Sequence, residues 1–103
     1  MNHYVKRTER TLWTVGYDDN HERWHPLSDH DSKEEAQAEA VYLNGGPLPD
    51  HRKPGRGKEC HILKDESNFA IVADGRRILV YGTEAIDYFI DLYDGIGYKV
   101  VLV

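Results

Sequence analysis

The 103-residue chain has a single cysteine, a single methionine, two phenylalanines and no long apolar run. Cys60 on its own forms no intramolecular disulfide, so nothing in the sequence demands an oxidising compartment. The opening residues Met1-Asn2-His3-Tyr4-Val5-Lys6-Arg7 lack the apolar core of a signal peptide. No segment approaches the roughly 20 apolar residues of a membrane span. The expectation is a cytoplasmic protein with no membrane partner. Positive charge is also scarce: 13 Lys and Arg against 18 Asp and Glu give a formal charge of −5, the wrong sign for general attraction to nucleic acid.

What is present suffices for one small core. Hydrophobic residues at 40% and aromatics at 11%, with 30% charged, describe a globular chain and not a disordered tail. A single domain over residues 1–103 is expected, with no room for a multidomain enzyme.

The segment Thr11–Tyr17 alternates, with Trp13, Val15 and Tyr17 on one face, as in a half-buried strand. Asp18-Asp19-Asn20 reads as a turn, and Glu22–Leu27 as the returning strand, ended or confined to an edge by Pro26. Ser32 followed by Glu35 is a capping box, and Ala36, Ala40 and Leu43 recur at helical spacing. A helix over Lys33–Leu43 is predicted, stopped at Asn44-Gly45-Gly46, with Glu34, Glu35 and Glu39 facing water.

Three of the four prolines, Pro47, Pro49 and Pro54, fall between Gly45 and Gly57 with several glycines, which predicts a long loop. Strands are predicted at Cys60–Lys64, Phe69–Ala73 and Arg77–Tyr81, the last two joined by the hairpin signal Asp74-Gly75. Thr83 is the predicted N-cap of a helix running to Asp94, with Ile86, Phe89, Ile90 and Tyr93 inward. The apolar run Tyr98–Val103 reads as a strand inside the sheet. The fold class is therefore α+β, a mostly antiparallel sheet with two helices in the order β-β-α-β-β-β-α-β.

The residues Trp13-Thr14-Val15-Gly16-Tyr17, Trp24, Ser32-Lys33-Glu34-Glu35-Ala36 and Leu43-Asn44-Gly45-Gly46 resemble a segment of small phage and prophage accessory proteins of unknown function. The resemblance covers the first half of the chain and brings no catalytic residue. It implies a mobile-element protein that binds and blocks a host component, such as an inhibitor of CRISPR or restriction defence that occludes a partner surface.

Four groupings invite a chemical reading. His21-Glu22-Arg23-Trp24-His25 has the letters of a zinc-protease motif, but that motif needs a helix. A strand holds the two histidines roughly 13 Å apart, against about 6 Å of rise on a helix. Neither this segment nor a looser set with Asp29, His30 and Asp31 is assigned as a metal site, and no cofactor is expected. Cys60 beside His61 resembles a nucleophile and its base, yet adjacent strand residues point to opposite faces, which makes Cys60 a small buried thiol.

The remaining two groupings are charged. Residues 51–58 carry Arg52, Lys53, Arg56 and Lys58 with no acid, leaving nine basic against eighteen acidic residues elsewhere, a balance of −9. This loop lacks P-loop spacing, and as a nucleic-acid site it would bind weakly and with strong salt dependence. Glu84, Asp87, Asp91 and Asp94 share one face of the second predicted helix and suit a basic protein partner. The leading expectation is a non-enzymatic interaction domain using the acidic face; the alternative is a nucleic-acid-binding accessory protein using the basic loop.

Overall fold

The computed structural model describes residues 2–103 and is α+β, with two helices and mostly antiparallel strands. The chain gathers into two compact units, one ending at Arg52 and the other spanning Lys53–Val103. The predicted elements occur in the predicted order, preceded by one further strand.

The first unit has strands β1 (His3–Glu9), β2 (Leu12–Asp18) and β3 (Trp24–His30), followed by helix α1 (Lys33–Leu43). Both pairings, β1 with β2 and β2 with β3, are antiparallel. Sequence reading missed β1 because its outer half, Lys6-Arg7-Thr8-Glu9, is exposed and charged, as suits an edge strand. Val5 and Val15 are register partners, as are Arg7 and Trp13. Val15, Ala36 and Ala40 form the buried cluster under α1, with Val5, Trp13 and Leu43 packed around it. The small alanines let the helix lie close on the sheet.

Helix α1 begins where the capping box places it, with the Glu35 amide donating to Ser32 Oγ at 3.4 Å. At its other end the Gly46 amide donates to the Val41 carbonyl, and Gly45 takes a positive φ of 95°. Asn44 has a further role: its side chain accepts from the His3 amide at 2.7 Å and donates to the His3 carbonyl at 2.9 Å. This ties the end of α1 to the start of β1.

The expectation that Glu39 faces water is overturned, since it is fully buried. Glu39 follows Ala36 by three residues, on the same stripe as Ala40 and Leu43, so the periodicity that buries the alanines buries the acid too. Glu34 is exposed and Glu35 is half-buried.

The second unit orders its strands β6 (Arg76–Val80), β5 (Asn68–Ala73), β4 (Glu59–Asp65) and β7 (Lys99–Leu102). The β5–β6 hairpin turns through Asp74 and Gly75 at φ of 53° and 75°, the two positive values that a type I′ turn needs. Helix α2 (Gly82–Gly95) buries Ala85, Ile86, Phe89 and Tyr93. Thr83 is not its N-cap. Gly82, at φ 82°, admits the chain to the helix one residue earlier, and Tyr81 caps it without a side-chain bond.

β7 is also not interior. It runs parallel to β4 at the end of the order, with Leu102 exposed. Two tight hairpins already give β5 a neighbour on each side, so the strand delivered by α2 adds at the open side of β4.

Candidate functional site

The four acids of α2 are all exposed. Residues 84, 87, 91 and 94 repeat at spacings of three and four, so they share one side of a helix whose other side carries the core residues. Tyr88 is 38% exposed beside them, its ring edge-on to Phe89 at 5.3 Å. Among the described residues none of the four acids has a cation within ion-pair distance. Their charge is therefore uncompensated by contact and projects into solvent.

The basic segment is divided in its roles. Arg52 is not a surface group: it is 5% exposed, and its Nη2–H donates to Glu39 Oε1 within the first unit. Lys53, Arg56 and Lys58 are exposed. Lys58 Nζ lies 3.4 Å from Asp74 Oδ1, a solvent-facing pair. Of the four cations proposed to hold phosphates, one is spent in the interior and another faces a carboxylate. No helix or strand lies between the end of α1 and the start of β4, as the prolines and glycines predict.

Around Glu39 the first unit holds a buried polar cluster that sequence reading did not find. His51 Nε2 sits 3.7 Å from Glu39 Oε2, and His30 is buried with its Nε2 2.9 Å from Ser28 Oγ. Burial pushes the His30 imidazole down to about 4, with His51 and Arg52 adding to the fall and Glu39 and Asp29 opposing it. His51 is likewise lowered by burial. The cluster keeps both imidazoles neutral at pH 7 and sets Glu39 against the fixed positive charge of Arg52.

His21 lies in the turn after β2, and His25 lies on β3, so the zinc-protease letters fall on a turn and a strand. That turn is built on Asp19, which accepts from the His21 and Arg23 amides at 2.8 and 3.0 Å. Its other oxygen lies 2.7 Å from His25 Nε2, and this bond is the largest cause holding the Asp19 carboxyl below its usual range. His25 also stacks on Tyr17 at 5.0 Å. Among the described residues no three His, Cys, Asp or Glu side chains converge as a metal cage. Cys60 is fully buried, while its neighbour His61 reaches the surface beside Glu59 at 3.2 Å.

No family model, curated protein or solved structure matches this chain.

Proposed function

We propose that this chain is a non-enzymatic interaction protein whose second unit engages a basic surface on a partner protein through the acidic side of α2. The observation that carries the reading is the run of Glu84, Asp87, Asp91 and Asp94, exposed on one side of a 14-residue helix and without ion-pair partners among the described residues. From the first to the last acid the helix rises about 15 Å. Such a line of charge steers association with a complementary groove and raises its on-rate. Tyr88 supplies an amphipathic ring of the kind enriched at interfaces. A partner that normally holds nucleic acid in a basic groove fits this chemistry, and blocking it is the defence-inhibitor role that the phage-protein resemblance implies.

The test compares the native chain with a variant carrying Glu84→Gln, Asp87→Asn, Asp91→Asn and Asp94→Asn. Neutralising Asp87, Asp91 and Asp94 relieves repulsion along the helix and toward its C-terminal end, which offsets the favourable dipole interaction lost at Glu84 in the first turn, so the variant folds. The native chain should retain a stoichiometric basic partner from host lysate at low salt and release it near 0.5 M salt, on the order of the concentration where screening becomes severe. The variant should retain at least about tenfold less. Equal capture by both chains, or by neither, overturns the reading.

A further inference from the structure

We infer that the first unit carries a second, separate binding site: a cavity between β1, β2 and the start of α1 that takes a small anion joined to a flat aromatic ring. The cavity has a volume of about 320 Å³ and is lined by Val5, Arg7, Trp13, Lys33 and Gln37. The fold brings these five together directly. Val5 and Arg7 are two apart on β1 and share a face, and Trp13 is the register partner of Arg7 on β2. Lys33 and Gln37 are one helical turn apart on α1, interleaved along the helix with Ala36 and Ala40, which close over Val15. The cavity therefore opens where the packed apolar interface ends and β1, an edge strand, gives way to solvent.

Its chemistry is one-sided. Val5 and Trp13 give an apolar wall, Arg7 and Lys33 two cations, and Gln37 an amide; no acid lines it. Neither cation makes an ion pair among the described residues. Glu34, the acid next to Lys33, accepts from Ser32 Oγ at 3.0 Å, and its carboxyl is held below the usual range by its own backbone amide, by Ser32 and, less strongly, by Lys33. Arg7 is held in place before any ligand arrives: its guanidinium lies 5.2 Å over the Trp13 ring, and its Nε donates to the Arg10 carbonyl at 3.1 Å. A preorganised cation loses little freedom on binding. The partial positive charge at the start of α1 adds to the same field. The size lies at the lower end of small-molecule sites, and an apolar wall with a few convergent polar groups is their usual construction. An aromatic carboxylate, with its anion on the ring, and a nucleoside monophosphate, with its anion joined to a planar base through a sugar, share the required chemistry of an anionic group tethered to a flat aromatic ring.

The full chain, labelled with nitrogen-15, is titrated separately with benzoate and with adenosine monophosphate, and in parallel with neutral benzamide and adenosine. The Trp13 indole N–H is the reporter, and the Trp24 indole N–H is the internal control. At least one of the two anions should shift Trp13 saturably while leaving Trp24 in place, and which one does so identifies the source. Its neutral counterpart should bind about tenfold more weakly. Arg7→Gln with Lys33→Gln should weaken the anion by at least the same factor. Lys33→Gln alone changes only an exposed side chain and should show part of the loss in a chain whose fold is secure. The inference is overturned if neither anion gives a saturable Trp13 shift below about 10 mM, if Trp24 shifts equally, or if the substituted chains bind as the native one does. None of these outcomes involves α2, so failure here leaves the partner reading untouched.

Discussion

Arg52 and Glu39 meet as an ion pair inside the first unit, with the Arg52 side chain 2% exposed and that of Glu39 not exposed at all. Removing one member takes the opposite charge away from a buried ion, which costs about 3 to 5 kcal/mol, whereas replacing both with apolar residues of similar size is often neutral. Arg52→Met and Glu39→Leu should each lower the stability measured by urea unfolding by that amount. The double variant should recover most of the loss. A double variant no more stable than either single one would show that the pair is not the coupled unit described.

The two residues also mark where the sequence was readable and where it was not. The helix Lys33–Leu43, its cap at Ser32 and the turn at Asp74-Gly75 follow from local chemistry, and local chemistry is legible in a single chain. Glu39 lies on a stripe that periodicity correctly buried, but its charge argued for water. Arg52 lies in a loop whose composition argued for exposure. The two meet inside the unit thirteen residues apart, and such a pairing leaves no signal in either segment alone. The strand β1 was hidden for a related reason, because an exposed edge strand lacks the alternation that reveals a half-buried one. Of the candidate sites, the acidic side of α2 was legible since helical spacing alone defines it. The cavity at Arg7 and Lys33 was not, because it needs the β1 and β2 register and the seating of α1.

Stability should fall as the pH drops from about 6.5 to about 4. His30 takes up a proton near 6.5 when unfolded but only at about 4 when folded, so between those values the unfolded chain binds more protons. The contribution is complete above pH 6.5 and is lost as pH falls through the folded value, amounting to roughly 3 kcal/mol. His51, also lowered by burial, acts in the same direction. Urea unfolding at about pH 7.5 and about pH 4.5 measures the loss. His30→Gln, which cannot titrate, should flatten the difference; an unchanged difference would assign it to other groups.

Cys60 should be chemically silent in the folded chain. Its residue is 0% exposed on β4, where it is the register partner of Val100 on β7. Thiol reagents need an exposed thiolate, so reaction must wait for opening of the strand. Labelling at neutral pH should run at least about a thousandfold slower than in strong urea. A native rate within tenfold of the denatured one would contradict the burial of Cys60.

Gly16 should be irreplaceable in the first unit for a steric reason rather than a conformational one. A methyl group at this position would stand 2.3 Å from the His25 carbonyl oxygen and 2.8 Å from the Trp24 ring. The indole crosses Gly16 where the β2–β3 register shifts, and it is flanked there by Lys6 at 4.2 Å and Tyr4 at 5.1 Å. Overpacking of this kind costs about 1 to 3 kcal/mol, or several degrees in Tm. The nearer obstacle is backbone, so trimming the side chain cannot remove it. Gly16→Ala should therefore lower Tm by a similar amount in the native chain and in a Trp24→Leu chain. If Trp24→Leu abolishes the cost, the ring and not the His25 carbonyl sets the close approach of β2 and β3.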